Sequence, residues 1–575
     1  MQLLRYLFVA CIIFETVGSS TATAQNQTWQ WAIPLPPYSA GNHVQVNATA
    51  LDAQGNMLVT GDIVGSPRLG SIRLVGWPNN HSSFFLGKLS STGQWLWAVT
   101  TTSVGPPGNN HFQEGNSIAV DSAGNIFVLG WIYGGAQFGS LPPINAPDNW
   151  GGLLVKLDAN GNWLWTKTIL EAPGAYDASG YGKLLLLDPP SGDLFAAGML
   201  GIIRLDPTTG SRRWTAPLVT YPDPVMTVAP EATFLTRDPT TGDLLLAGTY
   251  KSSIFLGAQE VSMIVGPDTL TNAGRSTTMY WSPRDIFIAR FDAGSGAGIH
   301  GTRIGGPGTD VISGMVVDSA GRITLTALYT ARTLTLGTDT LNNPTYVQRH
   351  YVAQLGPRRE WRWTTPLDNY ADLSDLSLTP RGNVATIGRV WGRANFGNGL
   401  QLTASADSAG NHSVDGYVAT LNPANGHWLG GFVTHSTRYM EFSRLHYYSE
   451  DAAAVVGWLG NQSSCRFGST NIRATVYLRM FIARYHSTPP LGTPVGPVAE
   501  AWTLNPNPAH QIVRLAMPSP APISQSVAIS DALGRTVRTA RLPAAQADLT
   551  LDLAGLAPGL YLVRCGAQAR RLVVE

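Results

Sequence analysis

Residues 117–130 read SIAVDSAGNIFVLG, and residues 153–165 read LLVKLDANGNWLW. Each stretch contains two short apolar runs that flank an Asp-x-x-Gly-Asn segment. Asp, Asn and Gly supply the side-chain hydrogen bonds and backbone angles that tight turns need, so each stretch predicts a β-hairpin. Together they predict a unit of four antiparallel strands, with a longer connection between the second and third strands.

The turn between the first two strands recurs along the chain. Its other copies begin at Asp52, Asp188, Asp238, Asp318, Thr379 and, in degraded form, Ser449. A unit that contains four strands and their connections is too large for one coil of a solenoid, and it fits a four-stranded blade of a propeller. We therefore predict an all-β protein in which residues 25–488 form a seven-bladed β-propeller of four-stranded blades.

Several units carry a Trp-x-Trp pair in the fourth strand. These pairs are Trp95/Trp97, Trp163/Trp165 and Trp361/Trp363. Strand alternation predicts that both rings of a pair lie on one face and pack on the next blade. The seventh unit stops after Tyr485 without such a strand, whereas Trp29 and Trp31 stand near the N-terminus. We predict that residues 29–32 pair with the strand around Ile482 and close the ring.

The N-terminus has the features of a signal peptide. Arg5 precedes an apolar run, residues 6–14, and Ala22-Thr23-Ala24 places small residues where signal peptidase cuts. We predict a signal peptide over residues 1–24. The apolar run is too short to span a bilayer, so no transmembrane segment is expected in the mature chain.

Composition narrows the possible partners. The formal net charge of +1 gives no reason to expect binding to nucleic acid or to an anionic membrane. Beyond the signal peptide only Cys465 and Cys565 remain, so a disulfide framework does not hold the fold together. The 62 glycines and 38 prolines favour many short strands over long helices.

The C-terminal residues contain an ordered set of short motifs: an Asn-Pro-Asn-Pro entry, an Asp-x-x-Gly-Arg turn and a Gly-Leu-Tyr strand. The set resembles the C-terminal sorting domain of the type IX secretion system of Bacteroidetes. The resemblance implies an Ig-like β-sandwich over residues 501–575, preceded by a linker over residues 489–500. The residues that carry it are Asn505, Pro506, Asn507, Pro508, Asp531, Gly534, Arg535, Gly559 and Tyr561.

That resemblance also implies a destination and partners. The protein would pass through the periplasm to the outer-membrane surface or the medium. Its partners would be the type IX secretion machinery and the cell-surface protease that processes its cargo.

The body of the chain has its own resemblance. The segment GGPGTD, residues 305–310, followed by MVVDSAG, residues 315–321, resembles a bacterial family of seven-bladed propeller repeats. The resemblance spans about residues 25–485 and is specific for fold. It implies no particular activity, because propellers support enzymes and simple binders alike.

Ring geometry predicts where a ligand would bind. All tight turns lie on one side of the ring, so the long second-to-third and fourth-to-first connections lie on the other, which we call the long-loop face. His350, Asp372 and Glu441 are among its polar residues. The candidate ligand residues there are Trp77, His111, Trp150, Tyr280, Trp281, Arg284, Arg349 and Tyr439. Aromatic rings beside such polar groups suit an extracellular glycan or protein.

The sequence contains no His-x-x-x-His, Cys-x-x-Cys or calcium-loop motif. We therefore predict no catalytic residue, metal or cofactor, and we predict non-catalytic binding or adhesion. A polysaccharide lyase or glycoside hydrolase is the alternative, and it would need two facing carboxylates or a His/Tyr/Arg cluster. In that case turnover would depend on a single loop carboxylate such as Asp285 or Asp415. A minor alternative is a quinoprotein-like dehydrogenase, because residues 205–214 resemble a tryptophan-docking repeat.

Overall fold

The structure is a computed structural model. It describes residues 23–24, 26–37, 41–77, 81–104, 111–145, 151–169, 184–189, 191–198, 201–221, 230–251, 262–273, 283–345, 347–406, 410–475, 478–488, 502–517, 524–531, 535–565 and 568–575. The described residues fall into two compact units, one before and one after the segment 489–501. The predicted linker and residues 1–22 of the predicted signal peptide lie outside the described residues. The domain limits stay predictions.

The first unit consists of four-stranded antiparallel sheets, and seven of them occur among its described residues. The strands are His43–Leu51, Met57–Val64, Ser83–Leu89 and Trp95–Thr100 in the first sheet; Phe112–Val120, Ile126–Tyr133, Gly151–Leu157 and Trp163–Ile169 in the second; Leu184–Leu187, Leu194–Gly198, Gly201–Leu205 and Arg212–Pro217 in the third; Glu231–Arg237, Leu244–Lys251, Arg284–Phe291 and Gly298–Ile304 in the fourth; Asp310–Val317, Ile323–Tyr329, Arg349–Leu355 and Trp361–Pro366 in the fifth; Asp375–Leu378, Val384–Val390, Asp415–Leu421 and Trp428–Thr434 in the sixth; and Met440–Ser449, Ala452–Leu459, Arg479–Thr488 and Asn26–Pro34 in the seventh.

These sheets form a ring. The first strands of successive sheets contact one another in chain order, and the first strand of the seventh sheet contacts that of the first. Apolar side chains of neighbouring sheets share a core, as Phe85 of the first sheet and Ile482 of the seventh do. The prediction of an all-β propeller is confirmed.

The N-terminal strand closes the ring, as predicted. Asn26–Pro34 pairs antiparallel with Arg479–Thr488, and Ile33 stands opposite Ile482. This pairing covers a strand edge that would otherwise be open to other chains. Thr23–Ala24 adds a short parallel strand beside Trp428–Thr434 of the sixth sheet. In sequence it belongs to the predicted signal peptide.

The prediction that both rings of a Trp-x-Trp pair share one face was wrong. Trp95 stands opposite Leu89 and Trp97 opposite Lys88, so Leu96 is the extra residue of a β-bulge. Since consecutive residues of the partner strand point to opposite faces, the two tryptophans do so too. Trp95 packs between the seventh and first sheets, and Trp97 packs between the first and second. The pairs that begin at Trp29, Trp163 and Trp361 carry the same bulge.

The second ring of a pair rests on a turn glycine of the next sheet. Gly161 has φ +86°, and a Cβ there would lie 2.9 Å from the Trp97 ring. The glycine therefore accepts the left-handed backbone and also leaves room for the ring. The same contact joins Trp31 to Gly93, Trp165 to Gly210 and Trp363 to Gly426. Trp214, which follows Arg212 rather than a first tryptophan, makes it with Gly296.

Much of the second-to-third connection is a small hairpin rather than a free loop. Described hairpins are Arg68–Leu69 with Ile72–Arg73, Gly135–Gln137 with Ile144–Asn145, Ser262–Val265 with Asp268–Thr271, Thr333–Leu336 with Asp339–Asn342, Arg393–Gly397 with Leu400–Thr403, and Ser464–Phe467 with Thr470–Arg473. Thr102–Val104 and Val219–Tyr221 add a third strand to the second and third of these hairpins. The hairpins lie beside the fourth strands, as Phe138 does against Trp163 at 5.2 Å between ring centroids.

The C-terminal unit has two antiparallel sheets over one core. Its strands are Thr503–Asn505, Ile512–Ala516 and Asp548–Asp552 in one sheet, and Gln525–Ser530, Thr536–Leu542, Gly559–Cys565 and Gln568–Val574 in the other. Val513 and Leu551 of one sheet share the core with Val563 of the other. The unit is thus a two-layer β-sandwich, and its Ig-like topology stays a prediction. Within the described ranges, no helix is long and apolar enough to cross a membrane.

Candidate functional site

The predicted ligand residues do not form one cluster. Trp150, Tyr280 and Trp281 lie outside the described residues. The other five occupy separate parts of the long-loop face: Trp77 and His111 at the first and second sheets, Arg284 at the fourth, Arg349 at the fifth and Tyr439 at the seventh.

Trp77 and His111 belong to an aromatic cluster. Their ring centroids are 5.1 Å apart, and His81 lies 5.7 Å from Trp77. The backbone N–H of His111 donates to Nδ1 of His81 at 3.2 Å. His111 is buried, and burial, followed by the charge of His81, lowers its pKa. The uncharged imidazole of His111 therefore packs in an aromatic cluster that joins the ends of the first and second sheets.

Arg284 begins the third strand of the fourth sheet and has an acid partner. Its guanidinium lies 3.0 Å from Glu231, and Lys251 lies 3.7 Å from the same carboxylate. Glu231 helps line a polar space of about 550 Å³ between the first strands of several sheets, together with Glu114 and Arg444. Burial raises the pKa of Glu114, although Asn116 donates to it at 3.1 Å. The charge of Arg284 is therefore already neutralised by Glu231 within the protein.

A larger cleft of about 1130 Å³ opens over the fifth and sixth sheets. We call it the five–six cleft. It lies at the ends of strands and connections on the long-loop face, opposite the tight turns. Its charged and aromatic lining residues are Arg332, Arg349, His350, Asp368, Asp372, Arg389 and Trp391.

Arg389 organises one wall of this cleft. Its Nε donates to Asp372 at 2.8 Å, and its guanidinium lies 3.3 Å from Glu441 and also donates to the hydroxyl of Tyr439. Tyr439 donates in turn to Glu441 at 2.9 Å. Although burial opposes it, the bonds and charges of these acids raise the pKa of Arg389. Asp372 and Glu441 thus share one fixed cation.

The remaining acid and the histidine of the cleft are also constrained. Asp368 accepts backbone N–H bonds from Asn395 at 2.9 Å and Tyr370 at 3.3 Å. Burial lowers the pKa of His350; Asp372 opposes this shift and Arg389 adds to it. A neutral imidazole at pH 7 offers hydrogen bonds rather than charge. Among the described residues, no group of three or more His, Cys, Asp or Glu side chains is placed to hold a metal ion.

Sequence reasoning missed Arg389 and Trp391. The repeat places a second strand directly after the turn over residues 379–383, and residues of that strand are expected in the blade interior. The structure places Arg389 near the end of that strand and Trp391 just beyond it, where side chains reach the cleft. The available signal was a charged residue among the apolar residues of a second strand.

Asp285 and Asp415, the loop carboxylates named for the enzyme alternative, are buried and have fixed hydrogen-bond or ion-pair partners in the described fold. Both are 0% exposed. Asp285 lies 3.0 Å from the guanidinium of Arg303, and Asp415 accepts bonds from Ser405 and Ser436 at 2.7 and 2.8 Å. These bonds join loops and strands within one sheet end.

Residues 205–214 form a strand hairpin of the third sheet. Asp206 accepts from the N–H of Thr208 at 2.8 Å, and Trp214 packs 5.8 Å from Phe195. Trp165 makes the same kind of contact with Phe127, at 6.2 Å. The resemblance to a tryptophan-docking repeat coincides with an element common to several sheets.

A buried carboxyl beside Asp285 makes stability depend on pH. Asp310 is 0% exposed, and burial, with the charge of Asp285 adding to it, raises its pKa to about 7. The folded protein therefore holds this proton between the unfolded pKa near 4 and about 7. This contribution to stability is fully present below pH 4, falls by ~1.4 kcal/mol per pH unit between pH 4 and 7, and is fully lost once the pH has risen through the folded pKa of about 7.

We expect Asp310→Asn to remove this loss. Asparagine imitates the neutral carboxyl and still accepts the Gly306 N–H, which lies 3.0 Å from Asp310. The variant should match the wild type near pH 4. At pH 8 its free energy of unfolding should be roughly 4 kcal/mol larger than that of the wild type, and its melting temperature should be correspondingly higher. The control Asp206→Asn should have the opposite sign, because Arg213 and backbone donors lower the pKa of Asp206 to about 2. Equal melting of Asp310→Asn and wild type at pH 8 would contradict the assignment.

The sorting-motif residues tie the C-terminal unit together. The side chain of Asn507 donates to the carbonyl of Arg571 at 2.8 Å and accepts from the N–H of Val573 at 2.9 Å. Arg535 donates to Asp531 across a turn at 2.8 Å, and Tyr561 donates to the carbonyl of Ala557 at 2.8 Å. Gly559 begins the strand that carries Tyr561, whereas Gly534 lies outside the described residues. Asn505, Pro506 and Pro508 belong to the same exposed entry.

Residues 503–575 match the family model described as the secretion system C-terminal sorting domain. The prediction of a type IX C-terminal sorting domain is confirmed, and the chain carries a signal for export by that system. No curated protein matches the chain.

Solved structures resemble the chain only distantly. A protein of unknown function from Dyadobacter fermentans is 8% identical, with 80% of this chain and 99% of that chain covered and a TM-score of 0.34. The WD40 domain of SCAP from fission yeast is also 8% identical, with 79% and 97% covered and a TM-score of 0.30. A protein of unknown function from Bacteroides caccae is 9% identical, with 58% and 93% covered and a TM-score of 0.28. The fold therefore rests on the sheets described above.

Proposed function

We propose that this protein is an extracellular binding protein that holds a glycan or protein ligand in the five–six cleft without turning it over. The observation that carries the proposal is that the acids in and beside the cleft already have fixed hydrogen-bond or ion-pair partners. Asp372 and Glu441 share Arg389, and Asp368 accepts backbone donors. An acid that already has fixed partners is poorly placed to exchange protons with a substrate.

The same cleft has what binding needs. It combines a large concave volume, an aromatic side chain at Trp391 and charged side chains held by hydrogen bonds to their neighbours. Pockets of this kind orient a ligand through a few polar groups while an apolar surface excludes water. The export signal would deliver this face to the cell surface or the medium, with the sorting domain removed by a surface protease.

We expect Trp391→Ala to weaken ligand retention about tenfold or more, since aromatic anchors dominate such contacts. The full mature protein would be applied to arrays of glycans and extracellular proteins, and the affinity for any retained ligand would then be measured. The matched control is Leu164→Ala, which removes an exposed bulge residue of the second sheet. An equal loss in both variants, or none in Trp391→Ala, would place the ligand elsewhere.

A second candidate function is a polysaccharide lyase. The observation that favours it is the grouping of His350, Arg389 and Tyr439, because Arg389 contacts Tyr439 and its charge influences the pKa of His350. Ultraviolet absorbance of an unsaturated sugar product would reveal turnover of an acidic polysaccharide. Turnover that disappears in Tyr439→Phe would replace the binding proposal with the lyase.

A further inference from the structure

We propose that the five–six cleft selects an anionic sugar, one that carries a carboxylate or a sulfate, and that Arg349 recognises the anionic group. This inference rests on the proposed binding function and specifies the chemical class of the ligand. It follows from the one property that distinguishes Arg349 from other arginines of the long-loop face.

That property is an Nε that is buried without an acceptor, together with the lack of any ion pair or side-chain hydrogen bond among the described residues. Arg284 lies 3.0 Å from Glu231, Arg303 lies 3.0 Å from Asp285, and Arg389 contacts Asp372 and Glu441. Arg349 has no ion pair or side-chain hydrogen bond within the described ranges, and its Nε is buried without an acceptor. It nevertheless lines the cleft.

An arginine in this state is suited to bind an anion. Its Nε has lost contact with water and gains no acceptor from the described protein, and an unsatisfied buried donor is costly. The guanidinium fork matches the two oxygens of a carboxylate or sulfate with parallel hydrogen bonds. A ligand carboxylate or sulfate in the cleft would neutralise the charge of this guanidinium.

The neighbours of Arg349 favour a sugar over an acidic peptide. His350 offers a neutral imidazole, and Trp391 offers a half-buried ring, which together suit hydroxyl groups and the apolar face of a pyranose. Peptides commonly bind by adding a strand to a sheet edge. In the fifth and sixth sheets the fourth strands are contacted by the hairpins over residues 333–342 and 393–403.

The test uses the full mature protein and four soluble probes: polygalacturonate for the carboxylate, dextran sulfate for the sulfate, neutral dextran and poly-glutamate. Affinities would be measured by calorimetry for the wild type, Arg349→Gln and Arg358→Gln. Arg358 is an exposed arginine in a tight turn of the same sheet, on the opposite side of the ring. The control therefore removes an equal charge far from the cleft.

We expect the wild type to bind at least one anionic polysaccharide and to bind neutral dextran much more weakly. Arg349→Gln should lose about 10- to 100-fold in affinity, whereas Arg358→Gln should stay within about twofold. Preference for polygalacturonate or for dextran sulfate would identify the anionic group.

Three results would overturn the inference. Equal loss in the two variants would indicate attraction by overall charge, and tighter binding of poly-glutamate would indicate a peptide ligand. Binding of a neutral glycan that Trp391→Ala weakens and Arg349→Gln leaves unchanged would retain the proposed function but refute the anionic sugar. Failure of every probe and of the arrays would refute the proposed function itself.

Discussion

We expect deletion of residues 25–34 to lower the melting temperature strongly and to cause self-association. The deletion removes the fourth strand of the seventh sheet, which pairs with Arg479–Thr488. The exposed edge would offer unpaired N–H and C=O groups to another chain. Thermal melting and light scattering would measure the two effects.

Two tryptophans account for much of this effect. Trp29 lies 4.8 Å from the Phe467 ring and 5.6 Å from Tyr485. Trp31 donates to the carbonyl of Ser91 at 3.0 Å and rests on Gly93. Because of the bulge, the two rings stabilise contacts with the sixth and the first sheets, respectively. Loss of a fully buried tryptophan side chain costs about 3–5 kcal/mol, and because both of these rings are half-buried each should cost somewhat less.

Point variants separate ring packing from strand pairing. Trp29→Ala and Trp31→Ala should each lower the melting temperature, while Gln30→Ala, at the exposed bulge position, should change it little. If the deletion leaves the melting curve unchanged, or if Gln30→Ala equals the tryptophan variants, the ring is closed in another way.

A chain that ends at Thr488 should lose export completely and collect, folded, in the periplasm. The C-terminal unit has its own core, and the strands of the propeller sheets end by residue 488. Removing residues 489–575 therefore removes the sorting domain, which matches over residues 503–575, without removing any propeller strand. Fractionation of cells and medium, with a melting curve of the periplasmic protein, would show both results.

A fusion supplies the control for export. Residues 489–575 attached to a periplasmic reporter should carry the reporter to the surface or the medium. Secretion of the truncated propeller at the wild-type level would contradict the assigned role of the tail. Retention of the fused reporter would show that the propeller itself contributes to recognition.

The sequence alone determined the repeat unit, the ring closure and the sorting domain. These features depend on local patterns: a turn of Asp, Gly and Asn sets each hairpin, and period-two alternation sets each strand. The displaced strand at Trp29–Trp31 was predictable because every other fourth strand follows its third strand in the chain. Short-range rules were sufficient in each case.

Only the tertiary structure decided where side chains meet. One extra residue, such as Leu96, reverses the face of a tryptophan, and no local pattern marks a bulge before the pairing register is known. The five–six cleft depends likewise on residues far apart in sequence, with Arg349 on the fifth sheet and Arg389 on the sixth. Whether an arginine is neutralised depends on which carboxylate the ring brings within a few ångströms. The acid partners of Arg284 and Arg389, and the lack of one for Arg349 among the described residues, are therefore properties of the folded ring.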